Sequence, residues 1–154
     1  MAIRNIVKEG DDILLKKCRT VEKFDRKLAE LIDDMLETMY EANGVGLAAP
    51  QVGILRRVVV IDAGDGPIEL VNPQIIEKHG TQQEMEGCLS CPGVWGITKR
   101  PLWVKVRAQD RLGIYHEYTG QDLLARAFCH ELDHLDGILF RSHVVEYVEP
   151  DSEE

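Results

Sequence analysis

The sequence predicts an α+β domain, mostly antiparallel sheets packed around a central helix that carries His130-Glu131-Leu132-Asp133-His134. Three observations predict it. Two segments carry the 3.6-residue apolar period of amphipathic helices, and short β-branched or alternating runs mark several strands. Those strands come in runs rather than in strict alternation with helices, which favours antiparallel pairing.

The first helix begins near Asp25. Leu28, Leu31, Ile32, Met35, Leu36 and Met39 form its core stripe, and Asn43-Gly44 ends it as a C-cap pair. A glycine-rich loop, Gly44-Val-Gly-Leu-Ala-Ala-Pro-Gln51-Val-Gly53, leads into the β-branched run Val58-Val59-Val60-Ile61. Residues 68–71 and Ile75-Ile76 read as further strands. Val104, Val106 and Ala108 alternate with Trp103, Lys105 and Arg107, the period of a half-buried strand. Asp110-Arg-Leu-Gly113 then turns the chain into a hairpin partner at 114–118. The second helix spans about 121–136 and stops at Gly137, with Leu123, Leu124, Ala127 and Phe128 as apolar positions.

A chain of 154 residues with 44% apolar content reads as one domain with a proper core. That domain is expected over 1–148, with 149–154 an acidic, disordered tail. The net charge of −9 disfavours broad or sequence-specific nucleic-acid binding, although Arg56-Arg57 and Lys99-Arg100 leave room for a local basic patch. The first residues have no apolar stretch of a secretory signal, and no run approaches a membrane span. The expected compartment is the cytoplasm, where Cys18, Cys88, Cys91 and Cys129 stay reduced.

The chemistry concentrates on the second helix. Residues four apart share a helix face, so His130 and His134 can grip one ion. Glu131 lies one step round, placed to act on water as a base. A third ligand must come from elsewhere. An extended metalloprotease motif would put a histidine where this chain has Phe140, and His143 would serve only if the chain bent back sharply. Cys88 is a second candidate, which would complete a Cys-His-His set and leave a fourth position open. Cys88 and Cys91 together would instead close a four-ligand structural zinc site. The gap to the histidines is far longer than the ~12–15 residues of a compact finger, and a closed site gives Glu131 no task. Cys18, Cys91 and Cys129 otherwise read as packed thiols.

Taken in order, Gly44-Val-Gly-Leu-Ala-Ala-Pro-Gln51, Glu86-Gly-Cys88-Leu-Ser and His130-Glu-Leu-Asp-His134 resemble the three signature motifs of peptide deformylases. The resemblance covers nearly the whole chain apart from the tail. One departure is Cys129, where that family commonly has Gln; only a neighbouring polar contact is at stake, because position 129 points about 100° away from the ligand stripe. The resemblance implies that Cys88, His130 and His134 bind one divalent metal, Fe(II) foremost, with zinc, nickel or cobalt able to replace it. It implies removal of the formyl group from N-terminal formyl-methionine of nascent peptides, releasing formate, with transient association with the ribosome. Glu131 would be the proton carrier, and the Gln51 amide and the backbone N–H of Leu89 would serve the formyl oxygen. Gly44, Val45, Gly46, Glu86 and Gly87 would lie against the substrate. Gly44 and Gly46 could equally do no more than shape their turn. Leu123 and Ala127, seven and three residues before His130, are expected to wall a methionine pocket.

Overall fold

The computed structural model describes residues 2–148, so the acidic segment 149–154 expected as a tail lies outside the described residues. Helix α1 (Arg26–Glu41) is followed by strands β1 (Gly46–Ala48), β2 (Val58–Ile61), β3 (Ile68–His79) and β4 (Gln82–Cys88). Then come β5 (Cys91–Arg100), β6 (Trp103–Gln109), β7 (Tyr115–Gln121), helix α2 (Leu123–Leu135) and β8 (Val144–Val148). One sheet has the order β1-β2-β3-β6-β7 and the other β4-β5-β8, and every strand pairing is antiparallel.

Both helices arise where the apolar period demands them. The Asp25 side chain accepts from the Leu28 backbone N–H at 3.1 Å and starts α1. Asn43 ends it in the left-handed conformation, at φ 58°. Strand β2 shows why its sequence is apolar throughout. Val58 and Val60 face α1, packing with Leu28, Ile32, Met35 and Met39, while Val59 and Ile61 face α2 with Phe128 and Leu135. A strand covered on both faces has no reason to alternate. Helix α2 is thus clamped against the five-stranded sheet, and its far side is left for the smaller sheet and the histidines.

Several boundaries differ from the sequence expectation. The two segments expected at 68–71 and 75–76 belong to one strand, β3, whose ladder with β6 shifts register between Val71 and Gln74 and again between Ile75 and Glu77. Asn72 sits in the first irregularity at φ 53°, its side chain bonded to the Val21 backbone and to Gln109. The hairpin turn forms as expected, with Asp110 Oδ1 accepting from the backbone of Leu112 and Ile114. Helix α2 starts at Leu123, not Gln121, because Gln121 still pairs with Trp103 and Asp122 turns the chain at φ 55°. At its other end Gly137 has φ 74°, and a Cβ there would meet the Leu15 carbonyl oxygen at 2.5 Å. Only glycine meets both demands.

Strands β4, β5 and β8 were not expected at all. β4 reads Gln-Gln-Glu-Met-Glu-Gly-Cys and β5 opens Cys-Pro-Gly, so neither shows an apolar alternation. Their small sheet is held by ladder pairing and by a few inward residues, which leaves no periodic mark. The supposed basic patch at Lys99-Arg100 does not form either, since Arg100 is buried and paired with Glu86 and Asp133. Arg57 is likewise tied to the Leu135 carbonyl and Asp136.

Candidate active site

Cys88 stands at the end of β4, just past a break in register with β5 between Glu86 and Cys88. Its sulfur meets the face of α2 that carries the two histidines. Cys88 Sγ lies 3.4 Å from His134 Nε2, and the ligand atoms of Cys88, His130 and His134 all fall within 4.8 Å of one another. A tetrahedral ion with a metal–sulfur distance of ~2.3 Å and metal–nitrogen distances of ~2.0–2.1 Å needs about 3.5 Å between such donors. The donor set therefore fits one divalent cation and leaves a position for water. Among the described residues it is the one group of this kind, and Cys91 is not part of it, so the closed four-ligand arrangement is absent. Phe140 is buried with its ring centroid 5.9 Å from that of His130, and His143 Nε2 contacts Asp133 at 3.1 Å. Neither reaches the cluster.

The electrostatics suit ligands. Burial pushes His134 down to about 3, which keeps it neutral. His130 turns its Nδ1 to Glu86 Oε1 at 2.9 Å, so Nε2 is the nitrogen left for an ion. Burial alone would lower His130, but the carboxylates of Glu131 and Glu86 outweigh it and raise it. Glu86 has further partners: Thr98 Oγ1 at 2.5 Å, and Arg100 at 3.0 Å through both Nε and Nη2. Burial works to raise Glu86, yet the hydrogen bonds and charges of His130 and Arg100 hold it at about 2. Arg100 also reaches Asp133 at 2.8 Å, which links the residue before His134 to the same network.

Glu86, expected to lie against the substrate, is also tied into this network. It borders the cleft, but both its oxygens are occupied by Thr98, Arg100 and His130. Arg100 and Thr98 were missed altogether. The one available signal was an acidic residue beside each of two ligands, Glu86 near Cys88 and Asp133 next to His134, which calls for a shared cation.

Glu131 is buried with one oxygen, Oε2, 4.0 Å from His130 Nε2 and the other without a hydrogen-bond partner among the described residues. Burial raises its carboxyl to about 7. Gly46 makes room for it: a Cβ there would stand 2.7 Å from Glu131 Oε2. Gly44 is crowded in the same way by Leu89, at 2.7 Å. The start of the loop therefore lies against Glu131 and Leu89. Gln51 is buried, its Oε1 accepting from the Ala48 backbone at 3.0 Å and its Nε2 donating to Ser90 Oγ at 3.0 Å and toward Cys88 Sγ at 3.6 Å.

A cleft of about 450 Å³ opens beside these groups. Gly44, Val45, Gly46, Gly87, Leu89, Leu123 and Ala127 all border it, as do His130 and Glu131. Met85, Trp95 and Arg126 are among its other lining residues and were not anticipated. Trp95 lies over the Gly87 backbone, where a Cβ would be 2.5 Å from the ring. Cys129 faces the sheet in the core, as the 100° offset requires.

Comparison with known proteins agrees with this architecture. A family model described as Polypeptide deformylase matches residues 3–149. The chain is 58% identical over 148 residues to a peptide deformylase of Caldicellulosiruptor bescii, covering 96% of this chain and 89% of that protein. It is 55% identical over 154 residues to the Acetivibrio thermocellus peptide deformylase, covering 100% and 91%. Among solved structures, the peptide deformylase from Thermotoga maritima superposes with a TM-score of 0.90 at 43% identity, covering 92% of this chain and 97% of that one. The Legionella pneumophila peptide deformylase gives 0.89 at 46%, covering 92% and 86%. Whole-length identity and a shared fold leave one conclusion: the chain belongs to the peptide deformylase family.

Proposed function

We propose that this cleft hydrolyses the formyl amide of N-terminal formyl-methionine on newly made polypeptides, releasing formate and a free amine. The observation that carries the reading is the Cys88-His130-His134 donor cluster with the buried, unpartnered Glu131 oxygen beside it, on the floor of an apolar cleft. Cys88 Sγ, His130 Nε2 and His134 Nε2 would hold one divalent cation, Fe(II) in our reading, with zinc, nickel or cobalt compatible with the same donors. When bound, it supplies Lewis acidity that makes water a nucleophile near neutral pH.

The remaining work belongs to the chain. Glu131 takes a proton from the attacking water and returns it to the amide nitrogen as the carbon–nitrogen bond breaks. Its raised carboxyl suits both halves of that transfer. Charge grows on the formyl oxygen and needs donors already in place. The second Gln51 N–H, which faces only Cys88 Sγ at 3.6 Å, and the Leu89 backbone N–H serve that oxygen. Leu123, Ala127 and Val45 receive the methionine side chain. The Gly44–Gly46 backbone lies along the peptide. Formyl-methionine termini emerge in the cytoplasm, so we place the protein there, in transient contact with the ribosome. No described helix is long and apolar enough to cross a membrane.

The test is formate release from formyl-Met-Ala-Ser by anaerobically purified, metal-analysed protein. Turnover with formate and free amine in equal amounts is expected, and none from fully iron- or nickel-loaded protein would falsify the reading. Two substitutions probe its parts. Gly46→Ala should push Glu131 off its place and lower kcat about 10²-fold, the order of loss from misplacing a reacting group by ~1 Å; unchanged kcat removes Gly46 from this role. Ala127→Trp should raise KM for formyl-Met peptides with metal content unchanged, and identical kinetics would take Ala127 out of the pocket wall.

A further inference from the structure

We propose that Cys88 and Cys91 form a site of oxidative modification, at which a peroxide joins them in a disulfide that withdraws Cys88 from the ligand set. The withdrawal rests on the reading of Cys88 as a ligand; the disulfide itself does not. Cys91 has no part in the chemistry above, yet it is one of the two thiols of a Cys-Leu-Ser-Cys hairpin.

The geometry favours closure. Cys88 ends β4, Cys91 begins β5, and the two are direct partners in the ladder across a two-residue turn. Directly opposed residues have Cα atoms ~4.5–5.5 Å apart and side chains on the same face. A disulfide accepts Cα separations of ~4.4–6.8 Å. Neither thiol is in a disulfide. The turn is pinned: the Ser90 carbonyl accepts from the Glu9 N–H at 2.7 Å, and Ser90 Oγ accepts from Gln51 at 3.0 Å. Cys18 and Cys129 lie apart, in the core between sheet and α2.

Accessibility orders the steps. Both cysteines border the cleft, but Cys91 is only 2% exposed, whereas Cys88 is half-buried. The Cys88 thiolate attacks one oxygen of hydrogen peroxide, the O–O bond breaks, and hydroxide leaves a sulfenic acid on Cys88. The Cys91 thiolate then attacks that sulfur, forming the S–S bond as the S–O bond breaks and a second hydroxide departs. With the two thiol protons this yields two waters, and the two electrons come from the two sulfurs. A disulfide sulfur carries no thiolate charge, so only His130 and His134 remain to hold an ion. Cys91 also stops Cys88 from advancing to the irreversible sulfinic and sulfonic acids.

The test treats the full chain, zinc-loaded and metal-free, with on the order of ten equivalents of hydrogen peroxide. Free thiols counted after denaturation should fall from four to two. Intact mass should fall by about 2 Da, dithiothreitol should restore it, and a chromogenic chelator should register one zinc per disulfide. Cys91→Ser and Cys91→Val should instead gain about 32–48 Da, not reversed by dithiothreitol. Cys18→Ser and Cys129→Ser should keep the 2 Da loss. Oxygen addition to the unsubstituted chain without that loss, or a disulfide mapped to another pair, overturns the proposal. A disulfide that forms while zinc stays bound overturns the withdrawal. A chain that binds no zinc before treatment overturns the ligand reading instead, and the thiol count on the metal-free form still decides the disulfide.

Discussion

Glu131→Gln is expected to lower kcat for formyl-Met peptides about 10³-fold while leaving the bound metal in place. Gln keeps the shape of the side chain, so the crowded contact with Gly46 and the packing under the loop survive. What it removes is the ability to accept and return a proton. The three candidate ligand atoms come from Cys88, His130 and His134, and Glu131 Oε2 stands off from His130 Nε2 at 4.0 Å. Metal analysis of the variant should therefore match that of the parent. Its melting temperature should hold or rise, because a neutral amide replaces a buried ionisable group. If turnover and metal were lost together, Glu131 would be a ligand and not a proton carrier. Full turnover with metal retained would leave the proton transfer to another group.

The second large effect is expected at Glu86. Glu86→Ala leaves the buried Arg100 guanidinium, the Thr98 hydroxyl and His130 Nδ1 without their shared acceptor. Breaking a buried pair from one side costs about 3–5 kcal/mol, or roughly 10 °C of melting temperature in a domain of this size. Loss of the group that orients a ligating imidazole costs about 10–100-fold in metal affinity. Thermal unfolding and a competition titration with a chelator read these two effects separately. A residue that touched substrate would instead raise KM with affinity for metal unchanged, and that result would restore the contact first expected of Glu86. Glu86→Gln, which keeps an acceptor for part of the network, should recover a portion of both losses.

Much of this was legible because it is local. The α1 stripe, the Asp25 cap, the buried run of β2 and the Asp110–Gly113 turn each follow from residues within a few positions of one another. The smaller sheet was not, because β4 and β5 are polar or glycine-rich with no apolar alternation, and the other partner of β5, strand β8, lies distant in the chain. The ends of β3 and α2 shifted for a related reason. Asn72 and Asp122 adopt positive φ, which neither composition nor periodicity announces.

The site divides along the same line. His130, Glu131 and His134 are placed by the pitch of one helix, so their spacing alone pointed to two candidate ligands and a candidate base. The choice of Cys88 over Phe140 or His143 rested on elimination and on family resemblance, and the fold supports it by bringing a sulfur from 46 residues away to 3.4 Å from His134. Arg100 is the clearest case of what tertiary structure alone could settle. In the sequence it stands beside Lys99 as one of two charges. In the fold it is buried between Glu86 and Asp133, because a buried and a half-buried carboxylate next to the candidate ligands require a cation held in place.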